Sequence, residues 1–234
     1  MLASYGRLDG EVSFESLHLY CKAEGYTIEQ VAAVGVNYQG EIVDNIEKIL
    51  SFIVEVEKLK NVHRQTKPVG LERFENSAEH SWHVCLTALM LKDYANDEID
   101  INRVIKMLLI HDLGEIDAGD TIVYKSETHD VKAQETAGIN RILSTLPGEM
   151  SKEFLELWYE FENGETADAR FAKAIDRVTP LLHNIHGGGH SWKTHGITKE
   201  QVFSVNQRIE KGSKELWSVM RNKLEDAVNA GILE

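Results

Sequence analysis

The 234 residues include only two cysteines and three prolines. Two thiols, Cys21 and Cys85, cannot build a disulfide framework, which fits a reducing, cytoplasmic setting. No run approaches the ~20 apolar residues of a membrane span, and the best, Val104–Ile110, contains Lys106. The opening Met-Leu-Ala-Ser-Tyr-Gly-Arg-Leu-Asp-Gly lacks an apolar signal-peptide core, so none is expected. Positive charge is short as well: 25 Lys and Arg face 38 Asp and Glu, a net charge of −13. That balance excludes a protein that tracks a phosphate backbone, where cations supply the affinity. Intrinsic disorder is excluded too, because 42% hydrophobic residues over this length can bury a core. Ten histidines stand out against these shortages.

Almost everywhere after residue 40 the apolar period is helical. Ile42, Ile46, Ile49, Ile53 and Val56 predict a helix over 41–62, and Lys67-Pro-Val-Gly70 interrupts it. Residues 78–95, apolar on several sides, read as a central buried helix with Ser77 as its N-cap. Ile101, Val104, Ile105 and Leu108 give the next helix, ended by Gly114, and 115–127 reads as a loop. Further helices are expected at 129–146, 151–162, 166–184, 198–211 and 213–229, with a glycine loop over 187–192. No alternating strand pattern competes, so the expected class is all-α, with one domain over 41–234. Residues 1–40, punctuated by Gly6, Gly10, Gly25 and Gly35, read as an appended segment with a short helix at Thr27–Ala33. Trp158, Trp192 and Trp217 are expected in the core or an interface.

His111-Asp112 ends an apolar helix, where two polar side chains are costly without a partner. A divalent cation is such a partner, since neutral imidazole and carboxylate are both good ligands. Further ligands must come from other helices, as in bundles that build metal sites from facing side chains. His80, one turn into the central helix, and Asp176, beside the stripe of Phe171, Ile175, Val178 and Leu182, are the candidates. Glu115 follows Asp112 by three residues and can reach a water in the same cavity. Arg64 offers a planar fork suited to phosphate.

His80, His111-Asp112 and a distant Asp176 resemble the H…HD…D signature of the HD-domain phosphohydrolases. The wider string of Leu59-Lys-Asn-Val-His-Arg64, Ser77-Ala-Glu-His80, His111-Asp-Leu-Gly-Glu115 and Gly119-Asp120 is similar to the branch of bacterial 5′-deoxynucleotidases and their eukaryotic HD-domain relatives. The resemblance covers about residues 41–230. It implies that His80, His111, Asp112 and Asp176 bind one divalent metal, with Co, Mn, Zn and Fe favoured over Mg by the imidazoles. It implies that Glu115 is the catalytic glutamate and Arg64 the phosphate-binding arginine. Asp120 would help hold the sugar, with Thr121 as a further substrate-binding residue. Gln65 departs from the pattern, which often has Trp after that arginine, and this bears on substrate range. The implied activity is cleavage of nucleoside 5′-monophosphates, most of all deoxyribonucleotides, to nucleoside and phosphate by attack of a metal-bound water. A phosphodiesterase or nucleoside polyphosphate hydrolase of the same superfamily, or a non-catalytic nucleotide-binding module, are the alternatives. The partners expected are a small nucleotide and a second copy of the chain in a homodimer, packed through the helices at 198–229 and the apolar surface of 151–162, with no nucleic acid and no membrane.

His83, one turn after His80, is expected to support or pack rather than ligate. The run His183, His186, His190 and His195 lacks the cysteines usual in structural zinc sites and reads as pocket wall.

Overall fold

A computed structural model describes Gly25, residues 27–124 and residues 129–234; of residues 28–40 and of His129 it describes the backbone alone. The described residues form eleven α-helices and three short 3₁₀ segments, with no strand among them. The helices are α1 (Ile28–Val56), α2 (Ser77–Leu91), α3 (Ile101–Ile110), α4 (Glu115–Ala118), α5 (His129–Leu143) and α6 (Gly148–Asn163). They continue with α7 (Ala167–Asp176), α8 (Val178–His186), α9 (His190–His195), α10 (Lys199–Asn206) and α11 (Lys214–Asn229). Two compact units divide at Lys48 and Ile49. No helix among the described residues is long and apolar enough to cross a membrane. Cys85 is buried and free, whereas Cys21 and most of the expected N-terminal segment lie outside the described residues.

The second unit, Ile49–Glu234, holds two apolar clusters. Val84 and Ala88 of α2, Val104, Met107 and Leu108 of α3, Ile139 of α5, Trp158 and Phe161 of α6, and Phe171 and Ile175 of α7 close the first. Val178, Leu181, Trp192, Trp217, Met220 and Leu224 close the second, reached from α7 through Ala174. The three expected tryptophans are thus buried. Helix α7 contributes to both clusters, so its C-terminal end is held rigidly where they meet.

Four local departures from the periodic reading shape the molecule. The helix expected over 166–184 breaks after Asp176. Pro180 explains it: proline has no N–H to bond the Asp176 carbonyl, and its ring collides with that carbonyl if the helix continues. The break leaves Asp176 as the last residue of α7. The N-cap of α2 is Asn76 rather than Ser77, in a capping box with Glu79. The serine is thereby free for another role. The expected 115–127 loop begins with the helical turn α4, and the 187–192 loop is shortened by α9.

Turn α4 lies on α5 at backbone contact. A Cβ at Gly138 would stand 2.8 Å from the Gly114 carbonyl oxygen and 3.2 Å from Asp117 Cβ. Gly138→Ala therefore tests packing against propensity. Alanine favours a helix interior over glycine by about 1 kcal/mol. The forced shift of the α4 backbone costs about 1–3 kcal/mol. Net destabilisation is expected, read as a fall of several degrees in thermal midpoint, and a rise in midpoint would contradict the contact.

Candidate active site

Two helix ends meet here. Helix α3 finishes at Ile110, with His111 as its C-cap and Asp112 next, and α7 finishes at Asp176. The carboxyl end of a helix carries partial negative charge, so a carboxylate there is disfavoured unless a cation is present. Two such ends converge with two carboxylates.

His80, on the first turn of α2, is completely buried and places Nε2 2.8 Å from Asp176 Oδ1. His111 Nε2 lies 3.1 Å from Asp112 Oδ1 and 3.4 Å from Asp176 Oδ1. His80, His111 and Asp112 each offer a ligand atom within 4.8 Å of the others, and Asp176 joins them through both imidazoles. Metal–ligand bonds of about 2.0–2.1 Å place neighbouring ligands about 2.9 Å apart in an octahedron and about 3.4 Å apart in a tetrahedron. The observed separations lie at those values.

His111 supplies the sharper test. Its Nδ1 stands 2.8 Å from the Leu108 carbonyl oxygen, and since a carbonyl only accepts, Nδ1 carries the hydrogen. In the neutral ring Nε2 then presents a lone pair, and that atom is buried without a hydrogen-bond partner. A lone pair facing two carboxylates is stable only with a positive centre between them. In a proton's favour, burial opposes the imidazolium, but Asp112 and Asp176 outweigh it and push His111 up to about 9. A divalent ion satisfies the same demand and displaces the proton. The residues present therefore fit a metal.

Asp176 is pulled well below the usual carboxylate range: burial alone would raise it, but His111 and His80 prevail. Glu115, at the start of α4, accepts from the Ser77 hydroxyl at 2.7 Å. Burial first, then Asp112, lifts its carboxyl well above the ordinary value, against Arg64. Burial likewise raises Asp120, and Arg64 opposes the rise. Arg64 is positioned by a short antiparallel pairing of residues 62–66 with 75–77 through three backbone hydrogen bonds, in which its amide donates to the Glu75 carbonyl at 2.8 Å. Its Nη1 donates to Asp112 Oδ2 at 2.8 Å and stands 3.6 Å from Asp120 Oδ1. Burial opposes its charge, but Asp112, Asp120 and Glu115 keep the guanidinium protonated.

All eight residues singled out in the sequence therefore lie together, Thr121 at the edge. Arg64, Asp112, Glu115, Asp120, Thr121 and Asp176 line a cavity of about 450 Å³, within the range of small-molecule sites. Four cations also line it that the sequence reading passed over: Lys132, Lys173, Arg177 and Arg208. Lys173 precedes Asp176 by one helical turn, so stepping back along that face would have found it. Burial, reinforced by Arg177 and opposed by Asp176, pushes Lys173 down to about 8. The second omission is Glu75, buried behind Arg64 and His80, in a segment whose composition signals only a loop.

Fold and site together define a helical domain with a metal-competent cluster of histidine and aspartate between helix ends. Residues 56–217 match the HD domain family model, and the chain belongs to that family. It is 44% identical to a crystal structure from Magnetospirillum magnetotacticum described as a predicted metal-dependent phosphohydrolase, with a TM-score of 0.77, covering 81% of this chain and 98% of that one. It is 30% identical over 139 residues to the 5′-deoxynucleotidase HDDC2 of Homo sapiens, covering 57% of this chain and 65% of the relative. With HDDC2 of Dictyostelium discoideum the identity is 34% over 119 residues, covering 48% and 63%. The chain thus spans less than two thirds of the length of these two curated relatives.

Proposed function

We propose that this protein is a metal-dependent phosphohydrolase that cleaves nucleoside 5′-monophosphates, deoxyribonucleotides above all, to nucleoside and inorganic phosphate. The observation that carries the reading is the orphaned His111 Nε2 facing two carboxylates, beside Arg64 and Glu115 in one cavity. His80, His111, Asp112 and Asp176 would hold the ion, and their two imidazoles favour Co, Mn, Zn or Fe over Mg. The ion supplies charge stabilisation at the phosphoryl oxygens and acidifies water. Arg64, braced by Asp112, grips the phosphate with its planar fork. Glu115, held by Ser77, takes up or returns the proton during attack. Thr121 at the rim and Asp120, its side chain buried beside Arg64, would meet the sugar. The relatives named for 5′-deoxynucleotidase activity support this substrate class.

Phosphate release by metal-stripped protein, with each cation re-added, tests the reading across nucleoside monophosphates, polyphosphates and phosphodiesters. Turnover of a deoxyribonucleoside 5′-monophosphate is the expected result. Phosphate release from polyphosphates alone would favour the second reading, a nucleoside polyphosphate hydrolase, for which Lys173, Arg177 and Arg208 speak.

Lys173 gives this activity an alkaline limb. The ammonium is present below about pH 8 and lost above it, so the cavity attracts an anion less well as pH rises. The pH profile of kcat/KM reports free-enzyme groups. It is expected to fall roughly tenfold above pH 8, a loss equivalent to one charged hydrogen bond. In Lys173→Met the limb disappears; a limb that persists there assigns the fall to another group.

A homodimer is part of the same proposal. Helices α6 and α11 leave only Tyr159 and Val219 as exposed large apolar side chains, whereas α2 exposes Trp82, Leu86, Leu89 and Met90 along one stripe. A second copy of the chain would bury such a stripe. Sedimentation is expected to give a dimer for the native chain and a monomer for Trp82→Glu; a native monomer ends the idea.

A further inference from the structure

A second cluster lies behind His80, away from the cavity. Glu75 is 2% exposed, and its Oε2 stands 3.4 Å from Thr66 Oγ1, 3.6 Å from Arg64 Nε, 3.6 Å from His80 Nδ1 and 3.7 Å from His183 Nδ1. A buried carboxylate oxygen thus has four polar neighbours, none within the 2.7–3.2 Å of a well-formed hydrogen bond to nitrogen. His83, one turn beyond His80 on α2, faces His183 of α8 with ring centroids 6.0 Å apart. Glu75, His83 and His183 each present a ligand atom within 4.8 Å of the other two.

We propose that Glu75, His83 and His183 form a second metal site that takes a zinc-class ion. Two imidazoles and a carboxylate are a donor set that zinc accepts with water in the fourth position. The edge of a zinc tetrahedron is about 3.4 Å, so the 3.7 Å between His183 Nδ1 and Glu75 Oε2 closes with a shift of tenths of an ångström. Water has access, because His83 is half-buried and His183 lines a separate cavity of about 250 Å³ with Thr66, Asn184 and His190. The nearby guanidinium of Arg64 is already engaged by Asp112 at 2.8 Å, so Glu75 is not committed to it. The second ion is not catalytic. His80 turns Nε2 to Asp176 and Nδ1 to Glu75, so the two sites lie on opposite sides of its ring. That exceeds the ~3.5–4 Å spacing of two-metal catalysis. Its role is to tie the Glu75 segment, α2 and α8 together behind His80 and Arg64.

The test counts metal and does not depend on turnover. The full chain is stripped, equilibrated with zinc and desalted, and bound zinc is measured per chain. Two equivalents are expected for the native protein and one for His83→Gln or His183→Gln. Asp176→Asn should keep one, and Asp176→Asn combined with His83→Gln none. His83→Gln is the informative variant because the half-buried position tolerates it, and circular dichroism checks that helix content is unchanged. A single equivalent in the native chain, or two retained in either folded histidine variant, overturns the site. The cavity ion is read separately through Asp176→Asn, so failure here leaves the proposed hydrolase reading intact.

Discussion

Asp176→Asn is expected to lower kcat/KM for a deoxyribonucleoside 5′-monophosphate by about three orders of magnitude, the scale seen when one preorganised electrostatic group is lost from an active site. The same variant should lose one equivalent of divalent metal per chain. One oxygen of this carboxylate lies 2.8 Å from His80 Nε2 and 3.4 Å from His111 Nε2, so it joins the two imidazoles. An amide of the same shape removes the charge and turns an N–H₂ toward nitrogens that must offer lone pairs. Steric fit is kept while the ligand field is lost, which separates this outcome from misfolding. The loss of negative charge also lowers His111, whose pKa is raised in part by Asp176. Asp176 stands at the exposed edge of the cluster, with a quarter of its side chain open, so the packing of α7 survives. Activity within threefold of native, with metal content unchanged, would sink the ligand assignment and the hydrolase reading with it.

The contrast between Asp176 and Glu75 shows what the sequence can and cannot disclose. Hydrophobic period reports which face of a helix is buried, and it placed α2, α3, α6 and the start of α7 within a few residues of where they lie. His80, His111 and Asp112 were legible because each sits at a recognisable helix end or beside a core stripe. The period does not see a one-residue break. Residues 166–184 keep one apolar stripe across Pro180, so only the chemistry of proline at that position exposes the end of α7. The capping box was open to inspection in Asn76 and Glu79, yet Ser77 is an equally good cap type, and only its bond to Glu115 decides between them. Glu75 had no local signal at all. Its neighbours Arg64, His80 and His183 come from three separate segments, and a carboxylate followed by asparagine and serine looks like any polar loop. Burial of a charge by dispersed partners is a property of the tertiary structure alone.

Glu115→Gln carries the second large effect. General acid–base catalysis is worth about 10²–10⁴ in rate, and kcat is expected to fall by that range while KM and metal content stay at native values. Glutamine keeps the length of the side chain and can still accept the Ser77 hydroxyl at the 2.7 Å position, so geometry is preserved and proton transfer is removed. The native carboxyl is lifted by burial and by the charges of Asp112 and Asp120, with Arg64 pulling the other way. A cation shared by Asp112 would remove the part of that lift due to Asp112, while the larger part, due to burial, stays. Ser77→Ala then provides the graded control. It leaves the carboxyl present but unanchored, and a fall of about tenfold is expected, close to the weight of one hydrogen bond to a charged group. If Glu115→Gln lowered kcat less than threefold, or if it emptied the metal site, the residue would belong to the scaffold and not to the proton transfer.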